Sequence, residues 1–236
     1  MAELDMRSSK RADKAALFEE FARVGKALAN GKRLELLDLL TQGERSVEAL
    51  AAAAGLGLST ASAHLQTLRQ AGLVATRREG TRIFYDVAGP DVLRLYALLR
   101  GVAQERVADV EPRRVAYLRL AGARAHEEGL TRDELVARAA QGSVTVLDVR
   151  PEDEYRAGHV PGARSVPLDE LEARLAELPP GADFVAYCRG AYCVMAYDAV
   201  DLLRAHGRRA QRLEDGMLEW RLAGMAVESG AGPRPV

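Results

Sequence analysis

At 236 residues, with 48% apolar and 28% charged side chains and a formal net charge of −1, the chain is long enough to bury two cores and has the balance of an ordinary soluble protein. No apolar stretch approaches a membrane span and the N-terminus is polar, without a signal-peptide core, so a cytoplasmic location and no membrane partner are expected. The two cysteines, Cys188 and Cys193, exclude a secreted disulfide framework and point to catalytic, redox or metal chemistry in a reducing compartment.

Residues 1–12 lack apolar periodicity and read as a flexible arm. Residues 13–30 are helical in pattern, with Leu17, Phe18, Phe21, Val24 and Leu28 on one broad face, and Asn30-Gly31 ends the run. A second helix spans residues 32–40. Ser46 is placed to cap a third, residues 47–54, which stops at Gly55. After a short turn, Ser59 is predicted to cap a fourth helix that reaches Ala71. Along it Ala61, Leu65 and Leu68 face inward, which leaves Ser59, Thr60, Ser62, Ala63, Gln66, Thr67 and Arg69 facing outward. Residues 73–78 and 81–87 read as a hairpin around Glu79-Gly80, with Arg77, Arg78 and Arg82 at its basic tip. Residues 91–103 are helical again.

Residues 104–130 connect the two halves. Pro112 suits the first turn of a helix over 113–128, with Gly129 as its stop, and a helical linker sets a fairly fixed distance between modules. From Leu130 onwards strand and helix signals alternate. A helix at 132–140, capped by Thr131, precedes a buried strand at 144–149. A helix at 168–178 is closed by Pro179-Pro180-Gly181, and a strand at 184–187 is followed by a helix at 192–206. A short strand at 211–213 and helical turns at 217–222 complete a small parallel α/β domain; residues 230–236 read as a flexible tail.

The N-terminal half carries 15 Lys/Arg against 12 Asp/Glu in residues 1–100, a balance that permits nucleic-acid binding without establishing it. Small polar side chains on the outward face of the fourth helix can approach base edges in a major groove, Gln66 can bind adenine bidentately, and arginines on the hairpin can reach phosphates. The text Ser62-Ala63-His64-Leu65, Leu68, Ala71-Gly72-Leu73-Val74 and the hairpin Arg77-Arg78-Glu79-Gly80-Thr81-Arg82 resembles the ArsR-type family of bacterial repressors over roughly residues 14–103. The resemblance implies a winged helix-turn-helix and a homodimer packed through helices 13–30 and 91–103. It also implies binding to a near-palindromic double-stranded operator, with His64 joining the DNA-facing set. Many members sense metals through cysteines. None precedes Cys188 here, so a thiolate metal site in this half is excluded.

Cys188 closes an apolar strand and opens a short loop before a helix, where backbone N–H groups and the helix dipole converge; a thiol there is expected to be a low-pKa thiolate. Four stretches resemble the rhodanese family of sulfurtransferases over about residues 130–228. They are Leu147-Asp148-Val149-Arg150 with Glu154-Tyr155; Gly158-His159-Val160-Pro161-Gly162-Ala163; Cys188-Arg189-Gly190; and Asp215-Gly216-Met217 with Trp220 and Gly224. The resemblance implies a persulfide on Cys188 drawn from a small sulfur donor such as thiosulfate or polysulfide. It gives Arg189 the orienting of an anionic donor, makes Gly190, Ala191 and Tyr192 the active-site loop, and leaves Asp148, Arg150 and His159 as framework. In the family the position of Cys193 usually holds an arginine or a similar residue. Cys193 reads either as a second, resolving thiol or as a small buried hydrophobe.

The expectation is therefore a two-domain chain: a flexible arm at 1–12, a winged helix-turn-helix at 13–104, a helical linker at 105–130, a rhodanese-like α/β domain at 131–229 and a tail at 230–236. It reads as a bacterial regulator whose Cys188 signals sulfur or redox state. A tethered sulfurtransferase is the alternative, and an arsenic-related regulator or reductase a weaker one. No metal and no cofactor beyond a covalent persulfide is assigned.

Overall fold

The computed structural model describes residues 2–120, 124 and 129–230, and the chain divides into two units, Met1–Val92 and Leu93–Val236.

In the first unit α1 spans Ala2–Leu28. It starts within the residues predicted to be a flexible arm; its first turns hold strong helix formers and no proline. Asn30 caps α2 (Gly31–Leu40), accepting from the Arg33 N–H at 3.1 Å. A two-residue strand, β1 (Arg45–Ser46), precedes α3 (Val47–Ala53), and Ser46 caps it as predicted. The next helix, α4 (Leu58–Gln70), has Gly57 at its N-cap with no side-chain bond, so Ser59 lies inside the first turn rather than at the cap. Ala61, Leu65 and Leu68 of α4 are fully buried, the face its periodicity assigns to the core. Strands β2 (Val74–Glu79) and β3 (Arg82–Val87) form the hairpin, and β1 adds to β3 to give an antiparallel sheet of order β1-β3-β2. The two-residue turn needs the left-handed backbone of Gly80, at φ 59°.

α5 (Pro90–Arg106) carries proline at its start. The boundary between the units falls inside this helix rather than in the predicted linker, because its later turns are bonded to the second unit. α6 (Val110–Tyr117) is shorter than the linker helix predicted over 113–128, of which residues 121–123 and 125–128 lie outside the described residues. Residues 231–236 of the predicted tail lie outside them too.

The parallel sheet of the second unit, order β5-β4-β6-β7, is built from β4 (Thr145–Asp148), β5 (Arg164–Ser165), β6 (Asp183–Tyr187) and β7 (Arg209–Arg212). Its helices are α7 (Arg132–Ala140), α8 (Glu152–Ala157), α9 (Leu168–Leu171), α10 (Met195–Ala205) and α11 (Met217–Leu222). Thr131 and Glu134 form a reciprocal capping box on α7. Both faces of the sheet are covered, as a parallel sheet requires. On one face Leu147, Phe184, Ala186 and Cys188 pack with Ala199, Val200 and Leu203 of α10; on the other Val146, Val185 and Tyr187 pack with Leu135, Met217 and Trp220. The strict alternation along β6 therefore delivers Cys188 to the α10 side.

Two predicted helices change shape. The one over 168–178 stops at Leu171 and resumes as a tight turn at Leu175–Glu177, closed by a bond from Leu178 N to Leu175 O, which turns both Leu171 and Leu178 into the core. The one over 192–206 begins only at Met195, because Cys193 N donates back to Gly190 O at 3.0 Å and closes the preceding residues into a turn. Cys193 therefore belongs to the loop, not to the helix.

Candidate functional site

The chain leaves β6 at Tyr187 and turns over Cys188. The first half of the loop is pinned from beneath by α11: Met217 N donates to Cys188 O and Leu218 N to Arg189 O, both at 3.0 Å. Gly216 lies so close that a Cβ on it would stand 2.2 Å from Gly190 N, so only glycine fits. Cys188 is 2% exposed, and its thiol donates to the Cys193 carbonyl oxygen at 3.4 Å.

The two thiols share one hydrogen-bonded environment. Burial pushes the Cys188 thiol well up, and the neighbouring Cys193 side chain adds to the rise. Cys193 is held below the ordinary thiol value, first by the neighbouring Cys188 side chain and further by backbone N–H groups from Arg189 and Met195. The negative charge thus settles first on Cys193. This departs from the expected low-pKa Cys188, for a physical reason: the converging amides are present, but the closed loop strips Cys188 of water.

Arg189 does not point freely into a donor site. Its guanidinium forks onto Glu154 of α8, with Nε 2.9 Å and Nη2 2.6 Å from Oε1, and the Glu154 side chain is 1% exposed. Gly190 faces the Glu219 carboxylate, while Ala191 and Tyr192 form the outer half of the loop. The Tyr192 hydroxyl donates to Gln104 Oε1 of α5 at 2.6 Å, and the Arg100 guanidinium stands 4.4 Å from the Tyr192 ring centre. Arg100 also reaches Glu219 Oε1 at 3.3 Å, and Glu219 accepts from Gly216 N at 3.1 Å.

Behind the loop, Asp148 and Arg150 are fully buried and paired, with Nη2 at 2.5 Å from Oδ2. Arg150 donates onward to Gly158 O at 2.8 Å, and the Tyr187 hydroxyl donates to Asp148 Oδ2 at 2.5 Å while accepting from Val160 N at 3.0 Å. These bonds tie the Asp-Val-Arg strand end to the Gly-His-Val-Pro-Gly-Ala stretch. His159 stacks on Tyr155 with ring centres 3.7 Å apart and donates from Nδ1 to Tyr155 O at 2.8 Å, a framework position.

The sequence reading overlooks Glu154 as a partner of Arg189, and Arg100, Gln104 and Glu219 altogether. For Glu219 a local signal exists, since it stands three residues after Gly216 at the start of a helix. For Arg100 and Gln104 none does.

In the first unit, Ser59, Thr60, Ala63 and Arg69 of α4 are exposed, and Ser62, His64, Gln66 and Thr67 are half-buried. Two of these are occupied: the Gln66 amide donates to the Tyr85 hydroxyl of β3 at 3.1 Å, and the Thr67 hydroxyl donates to Ala63 O of its own helix at 3.1 Å. On the hairpin, Arg77 donates to Glu44 and to Glu79, each at 2.6 Å, and lies over the Phe84 ring. Arg78 bonds Gly80 O at 3.1 Å, and Arg82 is exposed.

Comparison with known proteins finds two matched families. A family described as "Bacterial regulatory protein, arsR family" matches residues 30–76, and one described as "Rhodanese-like domain" matches residues 131–223. The HTH-type transcriptional regulator Rv0324 of Mycobacterium tuberculosis is 59% identical over 218 residues, covering 92% of this chain and 94% of its own. Nodulation protein NolR of Rhizobium meliloti is 40% identical over 85 residues, 36% of this chain and 70% of its own. Among solved structures, the homodimeric winged helix-turn-helix DNA-binding domain Mb0332 of Mycobacterium bovis is 61% identical, covers 41% of this chain and 89% of its own, and superposes with a TM-score of 0.39.

Proposed function

Because the chain belongs to the arsR family of bacterial helix-turn-helix transcriptional regulators and carries a C-terminal rhodanese-like domain, we propose that it is a homodimeric repressor whose Cys188 reports sulfur or redox state to the operator. The observation that carries this reading is the pairing of the chain's two cysteines across one loop, at the strand end where a rhodanese-like domain places its thiol, with no other cysteine in the chain.

The chemistry follows from that pairing. Cys193, the thiol that ionises first, takes the proton from Cys188. The Cys188 thiolate then attacks the outer sulfur of a polysulfide; an S–S bond forms at Cys188, the neighbouring S–S bond of the donor breaks, and the shortened polysulfide leaves with the electron pair. Cys193, once deprotonated again, attacks Cys188 Sγ, expels hydrosulfide and leaves a Cys188–Cys193 disulfide. Two thiols are oxidised and one sulfane sulfur is reduced. Peroxide reaches the same disulfide through a sulfenic acid on Cys188, with loss of water.

Arg189, neutralised by Glu154, shapes the loop more than it attracts a dianion. That favours a single loading event over repeated turnover of thiosulfate. The homodimer is supported by apolar side chains left in the open: Leu17, Phe18 and Phe21 of α1 are 52, 57 and 60% exposed, and Leu98 and Val102 of α5 are 66 and 51% exposed. Operator contact rests on the exposed residues of α4, on Ser62 and His64 and on Arg82, with Gln66, Thr67, Arg77 and Arg78 contributing once their present partners give way.

Intact mass after polysulfide tests the reading. A gain of one sulfur, or a loss of two hydrogens, on wild type and not on Cys188→Ser supports it; no change on wild type removes it.

A further inference from the structure

Cys188 is closed off, yet any thiol reagent must reach its sulfur. We propose that α5 forms the outer wall of the thiol site, with Arg100 and Gln104 latching the loop shut over Cys188 through Tyr192.

The two halves of the loop are held differently. Residues 188–190 are fixed by backbone bonds to α11 and by the close approach of Gly216. Opening there would break the strand end itself. The outer half closes on itself through the bond from Cys193 N to Gly190 O and is gripped from α5 through the Tyr192 side chain. Gln104 accepts a hydrogen bond from the phenol and Arg100 covers the ring face. Arg100 is braced in turn by Glu219, whose carboxylate also holds Gly216 N. Tyr192 is therefore the handle by which the outer half lifts, and lifting it means leaving both α5 side chains.

The same helix has a second face. Residues two apart on an α-helix lie about 200° round from each other. Arg100 and Gln104 thus share one side of α5, while Leu98 and Val102, four apart and exposed, share the opposite side. α5 also follows the hairpin strand β3 within three residues of chain. A sulfur donor that lifts the loop removes the contacts that fix one side of this helix, and the opposite side is its open apolar face. That relay rests on the reading of Cys188 as the sensing thiol; the latch does not.

The test uses the full-length chain and iodoacetamide, which alkylates a thiolate with loss of iodide. Peptide mapping follows the rate at Cys188 in wild type, Arg100→Ala, Gln104→Ala and Tyr192→Phe at one pH. Losing a cation–π contact or one hydrogen bond to the tyrosine is expected to raise the Cys188 rate by about tenfold. Gln104 has an exposed side chain and Tyr192→Phe removes a single hydroxyl, so these two variants keep the test decisive if Arg100→Ala misfolds. Equal Cys188 rates in wild type, Gln104→Ala and Tyr192→Phe would overturn the latch. Polysulfide loading of the same proteins separates the two ideas. Faster alkylation with no sulfur adduct leaves the latch standing and removes the sensor; sulfur adducts that form equally fast in all of them remove the latch and leave the sensor.

Discussion

The Cys188 thiol donates a hydrogen bond to the carbonyl oxygen of Cys193, 3.4 Å away, inside a loop that leaves Cys188 almost without solvent. Burial raises the Cys188 thiol while Cys193 is held below the ordinary thiol value, which gives the pair an order of ionisation with Cys193 first.

That order predicts a pH profile. A thiol whose pKa is lowered is charged at lower pH, so Cys193 should alkylate at lower pH than Cys188 and lose reactivity as pH falls through its depressed value. Cys188, raised by burial, should react only at distinctly higher pH. In Cys188→Ala the side chain that lowers Cys193 is gone. Its profile should shift upward and its rate at neutral pH should drop. Rates measured by peptide mass mapping from pH 5 to 10 check both statements.

Glu154 predicts a stability change. Its carboxylate is buried and held by the Arg189 fork, while Arg189 is about a quarter exposed. Glu154→Gln keeps the shape and removes the charge, and should cost about 1–3 kcal/mol, below the range for a fully buried pair because solvent screens Arg189. Chemical denaturation measures it. With its charge no longer neutralised at position 154, Arg189 should also raise the rate of loading from thiosulfate, an anionic donor.

DNA binding predicts a salt dependence. Arg82 is exposed and can meet a phosphate, so Arg82→Ala should lower the log–log slope of affinity against salt by about 1. Arg77 must first leave Glu44 and Glu79. Arg77→Ala should therefore cost less affinity than Arg82→Ala, and Glu44→Gln should increase affinity. Operator titrations between low and moderate salt decide among these.

The open faces predict an oligomeric state. Burying Phe18 and Phe21 across a dimer would contribute about 1.5–3 kcal/mol per side chain. Phe21→Glu or Leu98→Glu should shift wild-type dimer towards monomer in sedimentation, with the fold kept, since both side chains are exposed within one chain.

What was legible in the sequence follows the range of the forces involved. Ser46 and Thr131 cap their helices as their local pattern requires, and the apolar run up to Tyr187 forms the buried strand that ends at Cys188. The Asp148–Arg150 pair also behaves as the strand motif implies. What escaped depends on distant partners. The Tyr192–Gln104 bond joins residues 88 positions apart, and nothing in either neighbourhood announces it. The ionisation of Cys188 departs from the sequence expectation because strand-end amides can be read from sequence, whereas the desolvation that outweighs them appears only when the loop is closed in three dimensions. Gln66, exposed by its helical position, is engaged by Tyr85 from a strand that the helix period cannot foresee.

The central claim is that sulfur chemistry at Cys188 changes operator affinity. The most direct measurement is operator binding by full-length wild type and Cys188→Ser, each with and without polysulfide. The account predicts that polysulfide changes wild-type affinity by about 5–150-fold, the usual span of an allosteric coupling, and leaves Cys188→Ser unchanged. An equal response in both proteins, or no response in wild type that has demonstrably taken up sulfur, would contradict it.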